Sequence, residues 1–287
     1  MSMTSIHASN ASAADYWNGR GGEVWSDNQD RLDQFLRPIS ERLLDLADAR
    51  PGELVVDVGC GCGATTLGLA ERVGPEGEVL GIDLSDVMLR KARERTPDDV
   101  PARFVHADAT VYALPPGEID LVASRFGVMF FADPARSFAN LRAGMKAGGR
   151  IAFACWREAR ANAWVVVPLR AARKHAPPLP DAGPEDPGPF AFADEQRIRR
   201  LLEEAGFADI EVRPEDFELD IAGGEGLDAA VDAATAFGPT GRLLRDQPDD
   251  VRQAAAADIR AALAERVVGD RAPLGAAVWM VTARNPS

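Results

Sequence analysis

The sequence predicts an α/β protein built on a doubly wound, mostly parallel sheet, and three observations predict it. Short β-branched runs alternate with helical stretches from residue 53 to about 155. Those runs are almost continuously apolar, as strands covered on both faces must be. A glycine loop, VGCGCGA, follows the first run and opens a helix, which is where such sheets bind ligands.

The elements follow in order. Residues 1–50 are a preface: DYWNGRGGEVW is a glycine-interrupted aromatic segment, and 27–49 read as one or two amphipathic helices hinged near Pro38. Strands are predicted at 53–58, 78–83, 102–108, 119–124 and 149–156, with helices at 64–73, 85–95 and 134–146 between them. Ser85 supplies an N-cap, and Asp133-Pro134 supplies a cap followed by proline in the first turn. The proline-rich stretch at 176–189 excludes regular structure. Beyond it come a helix (194–206), a strand (210–219), a mostly helical block (227–268) and a terminal strand (276–284). The expected domains are a helical N-terminal lid (1–50), a core (51–221 with 276–287) and a helical insertion (222–275) capping the substrate side. Right-handed crossovers then bring the strand C-termini to one edge.

Composition excludes several classes. With 287 residues, 46% of them apolar, the chain can bury a full core. A net charge of −13 argues against nucleic-acid binding, which needs a basic surface. No run approaches the ~18 apolar residues of a membrane span, and the N-terminus lacks the basic and apolar regions of a secretory signal. Three cysteines, two in one loop, make no disulfide framework, so a reducing cytoplasm is expected.

Cys60 and Cys62 pose the first chemical question. A metal needs further donors, and only Cys155, His7, His106 and His175 remain, none at ligand spacing. Small filler beside glycine is the better reading, and no metal is expected. Gly59, Gly61 and Gly63 let the backbone turn sharply and admit a ligand. Together with Ala64 they also satisfy the dinucleotide fingerprint G-x-G-x-x-A. Charge separates the candidates. Asp57, two residues before Gly59, would face a pyrophosphate, and two like charges about 4 Å apart repel by roughly 4 kcal/mol at an effective dielectric of 20. A ligand with ammonium and sulfonium groups, such as S-adenosylmethionine, is favoured by the same carboxylate. Asp83 closes the second strand, placed for ribose hydroxyls, and Asp108 closes the third, placed for an adenine amino group.

The successive segments VVDVGCGCGATTLGLA, GIDLSDVML, FVHADAT, IDLVASRFGVMFFADP and AGGRIAF resemble the motifs of class I S-adenosylmethionine-dependent methyltransferases. The likeness is greatest to the branch that includes ubiquinone/menaquinone C-methyltransferases, and it covers about residues 50–155. It implies a Rossmann-like, seven-stranded sheet with the last strand antiparallel. It also implies that Asp57, Gly59, Gly61 and Gly63 hold the methionine end of the cofactor. Asp83 would take the ribose with Leu84 and Met88 beside it, Asp108 and Ala109 would frame the adenine, and Ser124 would sit under the sulfonium. S-adenosylhomocysteine would be the product.

Methyl transfer by in-line displacement needs mainly proximity and exclusion of water, hence apolar walls. Phe126, Met129 and Trp156 are candidate walls at the strand edge, and Trp25 belongs to a lid. Arg125 would orient an anionic or carbonyl acceptor, and His106 is a weak general-base candidate. The expected acceptor is a small organic molecule methylated on O, N or C. The N/D-P-P-Y/F segment of amino-directed nucleic-acid methyltransferases is absent after the fourth strand, and clustered acids for magnesium are absent there too. A protein that binds the cofactor without small-molecule methylation, or a nicotinamide-dependent oxidoreductase, remains as an alternative.

Overall fold

A computed structural model describes residues 6–180, 183 and 185–286. Its strands are β1 (Leu54–Val58), β2 (Glu78–Asp83), β3 (Ala102–His106), β4 (Ile119–Arg125), β5 (Met145–Trp156), β6 (Ala208–Asp220) and β7 (Pro273–Arg284). They form one sheet in the order β3-β2-β1-β4-β5-β7-β6. Strand β7 runs antiparallel to both neighbours and all other pairings are parallel. Chain order reverses between β1 and β4, the crevice where open α/β sheets take ligands.

Five helices alternate with the strands: α4 (Ala64–Val73), α5 (Asp86–Glu94), α6 (Pro134–Gly144), α7 (Ala163–Ala172) and α8 (Glu195–Glu204). The caps act as the sequence predicts. Ser85 Oγ accepts from Met88 N, and Asp133 accepts from Arg136 N with Pro134 in the first turn. β1 and β4 are buried almost throughout because helices cover both faces. Helix α7 carries a β-branched run and an internal Pro168, so its own sequence argues against a helix. Burial of Trp164, Val165 and Pro168 overrides that preference.

The N-terminal preface is built of helices. Its aromatic segment is helical, as α1 (Ala11–Asn18) and α2 (Arg20–Asp27), and residues 29–47 form one helix, α3 (Gln29–Ala47), with Pro38 inside it. A Cβ on Gly22 would lie 2.1 Å from the Trp17 carbonyl oxygen and 2.7 Å from Ser85 Oγ. That glycine exists for close packing rather than for a break. Helices α9 (Gly226–Ala236), α10 (Gly238–Leu244) and α11 (Asp249–Ala264) lie between β6 and β7. The described residues of 176–189 contain neither helix nor strand; positions 181, 182 and 184 of that loop, and 1–5 of the preface, lie outside the described residues. No described helix is long and apolar enough to cross a membrane.

Candidate cofactor and acceptor site

The loop after β1 is a left-handed turn at three alternate positions: Gly59, Gly61 and Gly63 have φ of 66°, 55° and 87°. Only glycine takes these angles without strain. Their missing side chains face different surroundings. A Cβ on Gly59 would strike Gly127 Cα at 2.6 Å, and one on Gly63 would press Phe104 and Ala92 at 3.1 to 3.2 Å. At Gly61 the nearest atoms are Met88 Sδ at 3.7 Å and Trp25 Nε1 at 3.9 Å. So Gly59 and Gly63 serve packing, and Gly61 alone has room for a Cβ, in ordinary contact with Met88 and Trp25. Gly127, which lets the β4 loop touch the β1 loop, has no motif to announce it in the sequence.

The three acids stand at the ends of β1, β2 and β3, in three different states. Asp57 is fully buried; its Oδ2 accepts from Thr66 Oγ1 at 2.7 Å and its Oδ1 has no partner. Burial pushes its pKa up to about 7, against the Thr66 hydrogen bond and the Arg125 charge, which pull it down. Asp83 accepts from Gly61 N and Ser85 N, both at 2.8 Å, so it clamps the glycine loop to the start of α5. Burial raises its pKa as well.

Asp108 requires a correction. It accepts from His7 N, from Asn10 Nδ2 on both oxygens and from Thr110 N, at 2.8 to 2.9 Å. Four contacts fill a carboxylate's capacity, so no acceptor position is left for an adenine amino group. His7 and Asn10 come from the preface, about a hundred residues away, which no local pattern reveals. Ala109 lies next to it, buried, with its carbonyl held by Asn140 Nδ2.

Other predicted residues are redistributed. Ser124 Oγ donates to the Val58 carbonyl and accepts from Gly127 N and Val128 N; it staples two loops and has little capacity left for a ligand. Met129 is 1% exposed, with its sulfur against Trp156 N at 3.4 Å. It belongs to the core behind the edge rather than to an acceptor wall. His106 Nε2 bonds the Leu84 carbonyl at 2.8 Å, a structural tie that removes that nitrogen from acid–base work. Leu84 is half-buried, Met88 is buried one turn into α5, and Leu84's carbonyl also receives Asn18 Nδ2.

The aromatic residues do gather. Phe126 has φ of 65°, a strained angle for a non-glycine residue, at the end of β4. Its ring stacks on Trp156 with centroids 4.1 Å apart and an interplanar angle of 10°. Trp156 meets Trp164, and Phe35 of α3 joins Trp164 to Phe237 before α10. On the other side Trp17 packs edge-on against Trp25 and Phe130. Ser85 Oγ donates to the Trp17 carbonyl and Asn18 Oδ1 accepts from Asp86 N, which pins α1 to the β2–α5 turn. The thiols of Cys60 and Cys62 are buried and free; burial pushes Cys62 up to about 12 and raises Cys60 well above its ordinary value, so both are protonated near neutrality.

A glycine turn at the switch point, flanked by acids and roofed by aromatic residues, defines a nucleoside-cofactor enzyme of the doubly wound α/β class. Residues 55–149 match a family model described as a methyltransferase domain. Nocamycin O-methyltransferase of Saccharothrix syringae is 33% identical over 68% of this chain and 73% of its own length. Aklanonic acid methyltransferase of a Streptomyces strain is 35% identical over 45% of this chain and 60% of its own. In structure, the YcgJ protein of Bacillus subtilis superposes with a TM-score of 0.56 at 13% identity, over 86% of this chain and 98% of that one, a likeness of fold. The chain belongs to the class I S-adenosylmethionine-dependent methyltransferases.

The residues present fit that cofactor. A buried carboxylate oxygen without a partner suits an ammonium donor, and the left-handed glycine turn beside it carries no side chain between that oxygen and Trp25 or Met88 at Gly61.

Proposed function

We propose that this methyltransferase acts on a small organic acceptor in a site walled by Phe126 and Trp156 and roofed by Trp25 and Trp17. The observation that carries the reading is Asp57, whose buried Oδ1 has no partner, on the strand that leads into the glycine loop. S-adenosylmethionine, when bound, supplies a methyl group on a sulfonium. Asp57 would accept the ammonium of its amino-acid end, and Asp83 the ribose hydroxyls through lone pairs not used by Gly61 and Ser85. Leu84 and Met88 would pack beside the ribose and Ala109 beside the adenine.

The chain's contribution to transfer is then positional. The Phe126–Trp156 stack is rigid, buried and apolar, so it would fix an acceptor's flat body and exclude water. A charge that disperses in the transition state loses little in such surroundings. Acid–base help is a small part of this scheme, in keeping with the structural role of His106. Three free, buried thiols suit a reducing cytoplasm, which we propose as the place of action. Helices α1–α3 would act as the lid and α9–α11 as a cap over the acceptor. A net charge of −13 disfavours nucleic acid as the acceptor.

The test incubates the protein with methyl-labelled cofactor and a fractionated extract of organic metabolites. Label in a small-molecule fraction at many turnovers supports the proposal. Label confined to protein or nucleic acid, with none in small molecules, overturns it.

A further inference from the structure

Helices α2 and α9–α11 leave a cavity between them. Its volume is about 470 Å³, with Arg20 and Val24 of α2 on one wall and residues of α9, α10 and α11 on the other. That volume suits a small ligand. Each wall continues by one residue into the acceptor site described above. Val24 is followed by Trp25 of the roof. Ala236, on the opposite wall, is followed by Phe237, which Phe35 and Trp164 join to Trp156. A Cβ on Gly238, the first residue of α10, would lie 3.1 Å from the Trp164 ring, so this helix starts against the aromatic wall itself.

The charge of this cavity runs against that of the chain. The chain carries a net −13, yet Arg20, Arg245 and Arg252 line the cavity against a single acid, Asp249. Asp249 is spent on Arg252, three residues along α11. Asp246 and Asp250, beside it in sequence, do not line the cavity. Arg20 and Arg245 form no ion pair and donate no side-chain hydrogen bond among the described residues. Arg125, the cation expected at the strand edge, is by contrast half-buried and donates from Nη1 to Ser40 Oγ of α3 at 2.7 Å. Val24 and Ala236 are half-buried and Leu244 is buried, whereas Arg20 and Arg252 are exposed, so the rim is cationic and the interior apolar. That gradient fits an amphiphilic anion. Guanidinium groups take a carboxylate in two parallel hydrogen bonds, and the apolar interior covers the rest of the molecule. A cation would be repelled at the rim, and a neutral molecule would leave both arginines without an anion.

We propose that this cavity is the entrance of the acceptor site and that Arg20 and Arg245 select acceptors carrying an ionised carboxylate, a reading that rests on the function proposed above. The carboxylate stays at the rim. The apolar body lies along Val24, Ala236 and Leu244, and the atom to be methylated is at its inner end, toward Trp156 and Phe126. Arg20 belongs to the lid and Arg245 to the cap, so one anion held by both also draws the two together over the bound acceptor. Both are specificity residues: they act on the affinity for the acceptor and not on that for the cofactor. Their field also steers an anion to the one opening where the surface does not repel it.

The experiment splits an extract of organic metabolites on an anion exchanger at neutral pH and incubates each fraction with the full chain and methyl-labelled cofactor. Label should enter small molecules of the retained, anionic fraction. In the double variant Arg20→Gln, Arg245→Gln the rate should fall about tenfold at limiting acceptor and recover at saturation, with S-adenosylhomocysteine affinity unchanged by calorimetry. Raising salt from about 50 to about 500 mM should lower the wild-type rate at limiting acceptor severalfold and leave that of the variant unchanged. Label confined to the unretained fraction overturns the proposal. So do equal rates of wild type and variant on the retained fraction, or a loss that persists at saturation. If the variant does not fold, the wild-type salt response decides, and a flat response overturns the proposal. Label in neither fraction would instead overturn the proposed function. Calorimetry then judges the cavity alone: naphthoate should bind at least about tenfold tighter than neutral naphthamide, and equal binding removes the anion site.

Discussion

Replacing Asp57 by asparagine separates what this carboxylate costs the fold from what it gives the ligand. Burial lifts its pKa from 3.8 to about 7, and each pKa unit corresponds to 1.36 kcal/mol. Holding the charge in the folded protein therefore costs about 4 kcal/mol above neutrality. The raised folded value also fixes the direction of the pH dependence. Near pH 4 and below, both states hold the proton and nothing is lost. Between pH 4 and 7 the folded state holds a proton that the unfolded chain has released, so stability falls as pH rises. Above pH 7 the loss is complete. Asp83 and Arg125 face the group and act on its charge, but both are present in wild type and variant, so their own titrations largely cancel in the difference. The Asp57→Asn variant removes the penalty and keeps an acceptor for Thr66, at the expense of an amide N–H with no partner, about 1–3 kcal/mol. The net gain above pH 7 is about 2 kcal/mol, or roughly 3 °C in melting temperature for a chain of this size. Scanning calorimetry of both proteins from pH 4.5 to 8 checks this: the gap should open as pH rises. The same substitution should weaken S-adenosylhomocysteine about 10- to 100-fold, the worth of one charged hydrogen bond. A gap that stays constant with pH, or wild-type affinity in the variant, would refute the reasoning.

The remaining predictions concern neighbouring parts of the site. Gly59→Ala places a methyl 2.6 Å from Gly127 Cα at φ of 66°, so it should lower stability by about 3 kcal/mol or more, read by urea unfolding. Gly61→Ala keeps only the strain of its φ and should mainly weaken cofactor binding, read by the same calorimetry. Asn10→Ala removes two of the four contacts on Asp108, so it should lower stability by about 1–3 kcal/mol, read by urea unfolding. Asp83→Ala strips acceptors from Gly61 N and Ser85 N. It should cost about 2–4 kcal/mol in stability as well as cofactor affinity, measured by unfolding and titration together.

Much of this protein was legible from sequence because its determinants are local. The period of apolar residues separates β1–β5 from the intervening helices, Ser85 and Asp133-Pro134 announce their caps, and alternate glycines before α4 demand a left-handed turn. Three acids at strand ends followed from the same reading, and so did the class of cofactor. Partnership, by contrast, depends on residues far apart in the chain, and only the tertiary structure decided it. Asn10 fills Asp108 from about a hundred residues away, and Gly127 rather than a ligand explains Gly59. Ser124 and Met129 are absorbed by packing between loops, and the orphan oxygen of Asp57 is visible only once every other donor has been assigned. A strand end fixes where a carboxylate sits; the hydrogen bonds it has left to offer depend on whatever the rest of the fold brings against it.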